Sequence, residues 1–122
     1  MKVNGREINF KRTVAANCKI ADLCPDMDIK NADKLFAGKY QDSQLTAAKV
    51  IAILSDGYEQ NRKFSEPGYE PHPISVEELL TLDDELFGEL FGEAMEAYAG
   101  EKATVETEPE KGKKNKSKDE LS

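Results

Sequence analysis

The sequence predicts a small, mainly α protein: an N-terminal β-hairpin followed by a bundle of four to five helices and a disordered charged tail. Three observations predict it. Asn4-Gly5 sits between two short β-prone segments near the start, the strongest short-range signal for a tight hairpin. Apolar residues after Thr13 recur at helical rather than alternating spacing. The last twenty-odd residues carry too few apolar side chains to join a core. With 122 residues the chain supports one domain, expected over 1–100, with the tail over 101–122.

Met1-Lys2-Val3 and Arg6-Glu7-Ile8-Asn9-Phe10 form the expected hairpin arms. Ile8 and Phe10 alternate with polar neighbours, so one face should meet a core. A lone two-stranded hairpin is marginal in water, so it packs on helices or pairs with another chain. Thr13 is the expected N-cap of a helix running to Leu23, with Val14, Cys18, Ala21, Ile20 and Leu23 as its apolar positions. Pro25 ends it by disfavouring helical geometry at Cys24. A weaker helix is expected over Asp28–Phe36, closed by Gly38. Ser43 then opens the most apolar helix, rich in Ala, Val, Ile and Leu between Leu45 and Leu54, which should be central and buried. It continues to about Lys63, with Gly57 as a place for a kink or early end.

Residues 65–74 hold three prolines and a glycine and read as an extended loop. Ser75 with Glu78 makes a capping-box pattern, and Thr81 with Asp84 repeats it more weakly. These mark a short helix over 76–80 and a longer one over 82–99.

Charge is unevenly placed. The net charge is −7, yet residues 1–74 hold ten acids and eleven bases, and residues 101–122 hold six of each. The whole excess lies in 75–100, with eight carboxylates and no Lys or Arg. An acidic chain is a poor ligand for nucleic acid or an anionic membrane, and no apolar run is long enough to span a bilayer. From the polar start no leader peptide is expected, and two cysteines without a redox or zinc spacing read as buried free thiols, so a cytoplasmic protein is expected.

No catalytic, cofactor or metal constellation emerges. His72 stands alone between two prolines, with no second His or nearby Cys, whereas a zinc site needs three or four ligands. No glycine-rich phosphate loop is present. Gly88 and Gly92, four apart, would let a neighbouring helix approach closely. On the segment 82–99, Glu85, Glu89, Glu93 and Glu96 gather on one side, opposite Leu86, Phe87, Leu90, Phe91, Ala94, Met95 and Tyr98. That is an amphipathic helix, not a cleft in which two carboxylates share acid and base roles. Like charges at i, i+4 spacing repel mildly, and no Lys relieves them. The candidate partner-binding residues are therefore Glu85, Leu86, Phe87, Glu89, Leu90, Phe91, Glu93 and Met95.

The arrangement resembles the tail assembly chaperones of long-tailed bacteriophages and prophages. The resemblance covers residues 1–100 and rests on the hairpin around Asn4-Gly5 and the apolar helix ending Ile51-Ala52-Ile53-Leu54. The pattern Ile74-Ser75-Val76-Glu77-Glu78-Leu79-Leu80 and the closing Glu93-Ala94-Met95-Glu96-Ala97-Tyr98 complete it. Lys113-Lys114-Asn115 also suits the slippery codons of the frameshift that such families use. The resemblance implies a non-enzyme without cofactors that binds the tape-measure protein, and the tail-tube protein as a further partner, in the host cytoplasm. It also implies absence from the finished virion and allows homo-oligomers. The alternative of a different class is an acidic inhibitor or DNA mimic that meets a basic enzyme with the carboxylates of 75–100.

Overall fold

A computed structural model describes residues 1–106 of the chain. Strands β1 (Lys2–Val3) and β2 (Arg6–Glu7) pair antiparallel, Lys2 opposite Glu7 and Val3 opposite Arg6. Asn4 and Gly5 take positive φ of 53° and 82°, the pair of left-handed conformations that a type I′ turn demands. Beyond the strands, the N–H of Ile8 donates to the Met1 carbonyl at 2.8 Å. The hairpin thus pairs within the chain, and the pleat turns Val3 and Ile8 inward, where both are buried. The N-terminal ammonium donates to Glu7 at 2.7 Å and holds that carboxyl below its usual range.

Helix α1 (Val14–Leu23) starts where expected, with the Thr13 hydroxyl accepting from the Ala16 N–H at 3.1 Å. Its inward stripe is Ala16, Ile20 and Cys24, one turn apart. Val14 and Cys18, expected to face the core, are exposed. The spacing from Val14 to Cys18 is as helical as that from Ala16 to Ile20, so periodicity alone does not choose between the stripes. Cys24 is the one buried thiol of the two; burial, with Asp28 nearby, pushes its pKa up.

The expected helix over 28–36 is instead two 3-10 turns, Pro25–Met27 and Ile29–Lys34. Asp26 and Met27 stand at positive φ and break the α-helical path, while the Asp28 side chain accepts from the Lys30 N–H. Leu35 and Phe36 still reach the core.

Helix α2 (Tyr40–Ser65) is the central element, 26 residues long and so about 39 Å from end to end. It begins a turn before Ser43, whose hydroxyl donates to the Tyr40 carbonyl, and it neither kinks nor ends at Gly57. That glycine has a packing reason. A Cβ there would stand 2.5 Å from the Lys11 carbonyl oxygen and 3.3 Å from the Thr13 hydroxyl. The linker between hairpin and α1 lies directly on the helix backbone, and the Lys11 N–H donates to the Leu54 carbonyl at 3.0 Å.

Helix α3 (Val76–Leu79) carries the full capping box, Ser75 and Glu78 each accepting from the other's backbone N–H at 2.9–3.1 Å. Helix α4 (Asp84–Glu106) starts later than expected, because Asp83 rather than Thr81 caps it: its carboxylate accepts from the Leu86 N–H at 2.8 Å. Thr81 instead donates its hydroxyl to the Glu78 carbonyl. The helix runs past the expected end at 99, through the first residues assigned to the tail; the rest of the expected disordered tail, 107–122, lies outside the described residues. The core lies where α1, α3 and α4 meet α2, with Ile20, Ile51, Leu54, Leu79, Leu90 and Val50 fully buried. Among the described residues no helix is long and apolar enough to cross a membrane.

Candidate functional site

Two polar residues on α2 organise one end of the molecule. Ser55 and Glu59 are buried, and a buried polar group without a partner is costly. Both find partners in the extended segment that follows the helix. Ser55 Oγ accepts from the Ile74 N–H at 3.0 Å, and Glu59 Oε1 accepts from the His72 N–H at 2.9 Å. The match is geometric: four residues of helix rise about 6.0 Å, and two residues of extended chain about 6.6 Å. Tyr69 donates its hydroxyl to the same Glu59 oxygen, and that bond raises the phenol pKa. The Arg62 guanidinium lies 4.1 Å over the Tyr69 ring. Arg6 closes the strap from the hairpin side, donating to the His72 carbonyl at 2.7 Å and to Glu78 at 3.0 Å. Hydrogen bonding from the Ser75 backbone, with Ser75's side chain and Arg6 adding to it, holds the Glu78 carboxyl below its usual range. His72 contributes its backbone here, and its side chain is exposed.

The other end of α2 has no such strap. There the first turns of α2 and the corner between α3 and α4 enclose an open apolar groove. It consists of two adjoining depressions of about 320 and 390 Å³. Tyr40, Gln44, Asp84 and Phe87 line both; Phe36, Phe91 and Ser43 are among the others at the first, and Gln41, Leu45, Leu80 and Leu82 among those at the second. Local sequence explains the shape. Leu79 is buried and anchors α3, so its neighbour Leu80 turns out to solvent, 56 % exposed. Asp83 then restarts the helix and brings Phe87 to the rim. Phe36 meets Phe91 edge to face, centroids 5.2 Å apart, and forms the floor on the far side. Tyr40 and Leu45 are 68 % and 40 % exposed. Three of the seven large apolar residues exposed in the described chain therefore border this one groove, whereas Val14 and Phe64 border no part of it. Asp84 is the groove's one charged lining residue, and no Lys or Arg lines it.

The eight candidate partner-binding residues divide three ways. At about 100° per residue, Leu90 points to the core, where it is fully buried with Ala94. Phe87 and Phe91 lie about 60–100° to one side and line the groove. Glu93 and Glu89 lie as far to the other side, with Glu85 further round, and all three are exposed. Leu86 and Met95 are half-buried and pack on the core. The acidic stripe and the apolar groove are thus on opposite edges of α4. Gly88 and Gly92 have open space where a Cβ would stand, so among the described residues no helix approaches them closely. Tyr40, Leu45 and Leu80 escape a reading centred on α4 alone, because the groove joins segments forty residues apart. Ser55 and Glu59 carried a legible signal: two polar residues four apart that continue the buried stripe of Ala48 and Ile51.

Among the described residues, no group of His, Cys, Asp or Glu is arranged to hold a metal ion. Glu59 is buried under its strap rather than facing a cleft. Comparison with protein-family models, curated proteins and solved structures found no match to the chain.

Proposed function

We propose that the chain is a non-catalytic tail assembly chaperone, which binds the tape-measure protein in the host cytoplasm and shields its apolar surface until the tail is built. The observation that carries this reading is the groove between the start of α2 and the α3–α4 corner: apolar, open and bordered by Tyr40, Leu45 and Leu80. A protein that shields a client needs an apolar surface of its own that stays in water without aggregating. The carboxylates on the other edge of α4 and the net charge of −7 supply that solubility. The sequence resemblance to this class supports it independently.

Co-expression with fragments of the tape-measure protein encoded beside its gene, followed by affinity capture and size-exclusion chromatography, tests it. A co-eluting complex that Glu89→Lys with Glu93→Lys leaves intact is expected. Capture of no tail component overturns it. A complex with a nucleic-acid enzyme that those two substitutions abolish would favour the acidic-inhibitor alternative.

A further inference from the structure

Glu85, Glu89, Glu93 and Glu96 fall within about 80° of one another around α4, and all four are exposed. None makes a hydrogen bond or ion pair with any described residue. Arg12, which does reach this helix, is engaged further on, donating to the Tyr98 carbonyl and lying over its ring. Like charges side by side repel, and 75–100 holds no base to relieve them. The missing bases stand further along the same chain. Residues 111–118 hold five lysines and no acid, whereas acids and bases nearly balance over 1–74. Reach is sufficient. From the end of α4 at Glu106, Glu93 lies about 20 Å back along the helix and Glu85 about 31 Å. Fully extended chain carries Lys114 up to about 26 Å from Glu106 and Lys118 up to about 40 Å, which leaves length for the reversal. The spacings also match. Lys114, Lys116 and Lys118 recur about every 6.6 Å on one side of an extended chain, and Glu85, Glu89 and Glu93 about every 6.0 Å along α4. Ser55 and Glu59 hold the strap at 72 and 74 by the same match.

We infer that residues 111–118 fold back along α4 and cover its acidic edge, with Lys114 over Glu93 and Lys116 over Glu89. Exposed ion pairs are individually weak, so the tether carries them: a short linker holds the lysines at about millimolar effective concentration. The cover is therefore diffuse and salt-sensitive. It goes beyond the chaperone reading and does not rest on it, because the groove lies on the opposite edge of α4 and stays open. Its consequence is selectivity. A basic partner meets the acidic edge only by displacing the tail, so weakly basic surfaces are turned away.

The test uses the full chain with Cys18→Ser, which removes the exposed thiol, and a nitroxide spin label attached at Ser117→Cys. Paramagnetic broadening of backbone amide signals reports where the label spends its time. At low salt the amides of 85–93 should broaden at least about twofold more than those of α1. That excess should vanish at about 1 M salt, where screening shortens to about 3 Å. Glu89→Lys with Glu93→Lys, both at exposed positions, should abolish it while circular dichroism stays unchanged. Lys114→Glu with Lys116→Glu, outside the folded core, should do the same. Combining the two pairs restores opposite charges and should bring the broadening back. Equal broadening of 85–93 and α1 overturns the inference. So does broadening that survives either charge reversal or high salt, or failure of the combined variant to restore it. Broadening of an isotope-labelled, spin-free chain mixed with spin-labelled chains, as strong as that within one chain, assigns the acidic edge to a second copy and also overturns it.

Discussion

The two ends of α2 solve the same problem differently. Both present one helix whose inward face is apolar and whose flanks need cover. At the C-terminal end the chain supplies that cover itself: the linker at Lys11 lies on Gly57, and the extended segment 69–74 is fastened to Ser55 and Glu59. At the N-terminal end nothing described crosses the helix, and the apolar groove stays open. A polar pair in the buried stripe of α2 marks the end that is closed by its own chain. The other end has no such pair, and there Tyr40, Leu45 and Leu80 stay exposed.

The contrast is broken most severely by removing the fastening. Glu59→Ala deletes the acceptor for the His72 N–H and the Tyr69 hydroxyl, leaving two part-buried donors without their partner, at a cost of about 1–3 kcal/mol each. A total loss of about 3 kcal/mol in urea unfolding is expected. Glu59→Gln, which keeps an acceptor oxygen, should lose less than half of that. Amide exchange at His72 and Ile74 should accelerate before exchange in α1 does.

Gly57→Ala comes next. On an exposed helix this change would stabilise by about 1 kcal/mol. Here the added methyl meets a backbone oxygen at 2.5 Å, and neither the linker nor α2 can yield without losing the bond from Lys11 to Leu54. Overpacking of this kind costs about 1–3 kcal/mol, so a net loss of about 1 kcal/mol is expected in the urea midpoint. A gain in stability would show that the linker does not press on α2.

Acid should loosen the strap's outer tie more gently. The carboxyls of Glu78 and Glu7 titrate below their usual range because the folded state favours their charged forms. Each stabilises the fold above the ordinary carboxylate pKa, and that stability is lost as pH falls through the lowered, folded value. Melting temperature should therefore drop on acidification below the usual Glu range. Glu78→Gln should flatten that drop and cost about 0.5 kcal/mol at neutral pH, a small figure because exposed ion pairs are screened.

Much of the fold was legible because the signals were local. Asn4-Gly5, the Thr13 cap and the Ser75–Glu78 box each act within four residues, and each appears where expected. The misreadings share a cause. Val14 and Cys18 are exposed, Asp83 displaces Thr81 as the cap, and the 28–36 helix gives way to 3-10 turns. In each case the local pattern admitted two readings: two helical stripes on α1, two N-cap candidates before α4, and a weak apolar spacing that follows the positive-φ pair Asp26 and Met27. The candidate site shows this most clearly. Phe87 and Phe91 were visible on α4, but their companions Tyr40, Leu45 and Leu80 belong to other elements, and periodicity along one helix cannot find them.

The smallest effect on the fold is expected at the groove, and it separates the two ends most cleanly. Leu80 is 56 % exposed and Tyr40 68 %, so each leaves little area to lose on truncation. Leu80→Ser with Tyr40→Ser should change stability by no more than about 0.5 kcal/mol, as surface substitutions away from structural features do. The same pair should cut tape-measure capture and lower binding of a dye that reports exposed apolar surface. Truncations of similar size at Leu54 or Leu90, both fully buried, would cost about 2–5 kcal/mol. A leucine that costs the fold nothing when removed is not held in place by the fold. If Leu80→Ser with Tyr40→Ser instead destabilises as a core change does, the groove is part of the core and both ends of α2 are closed alike.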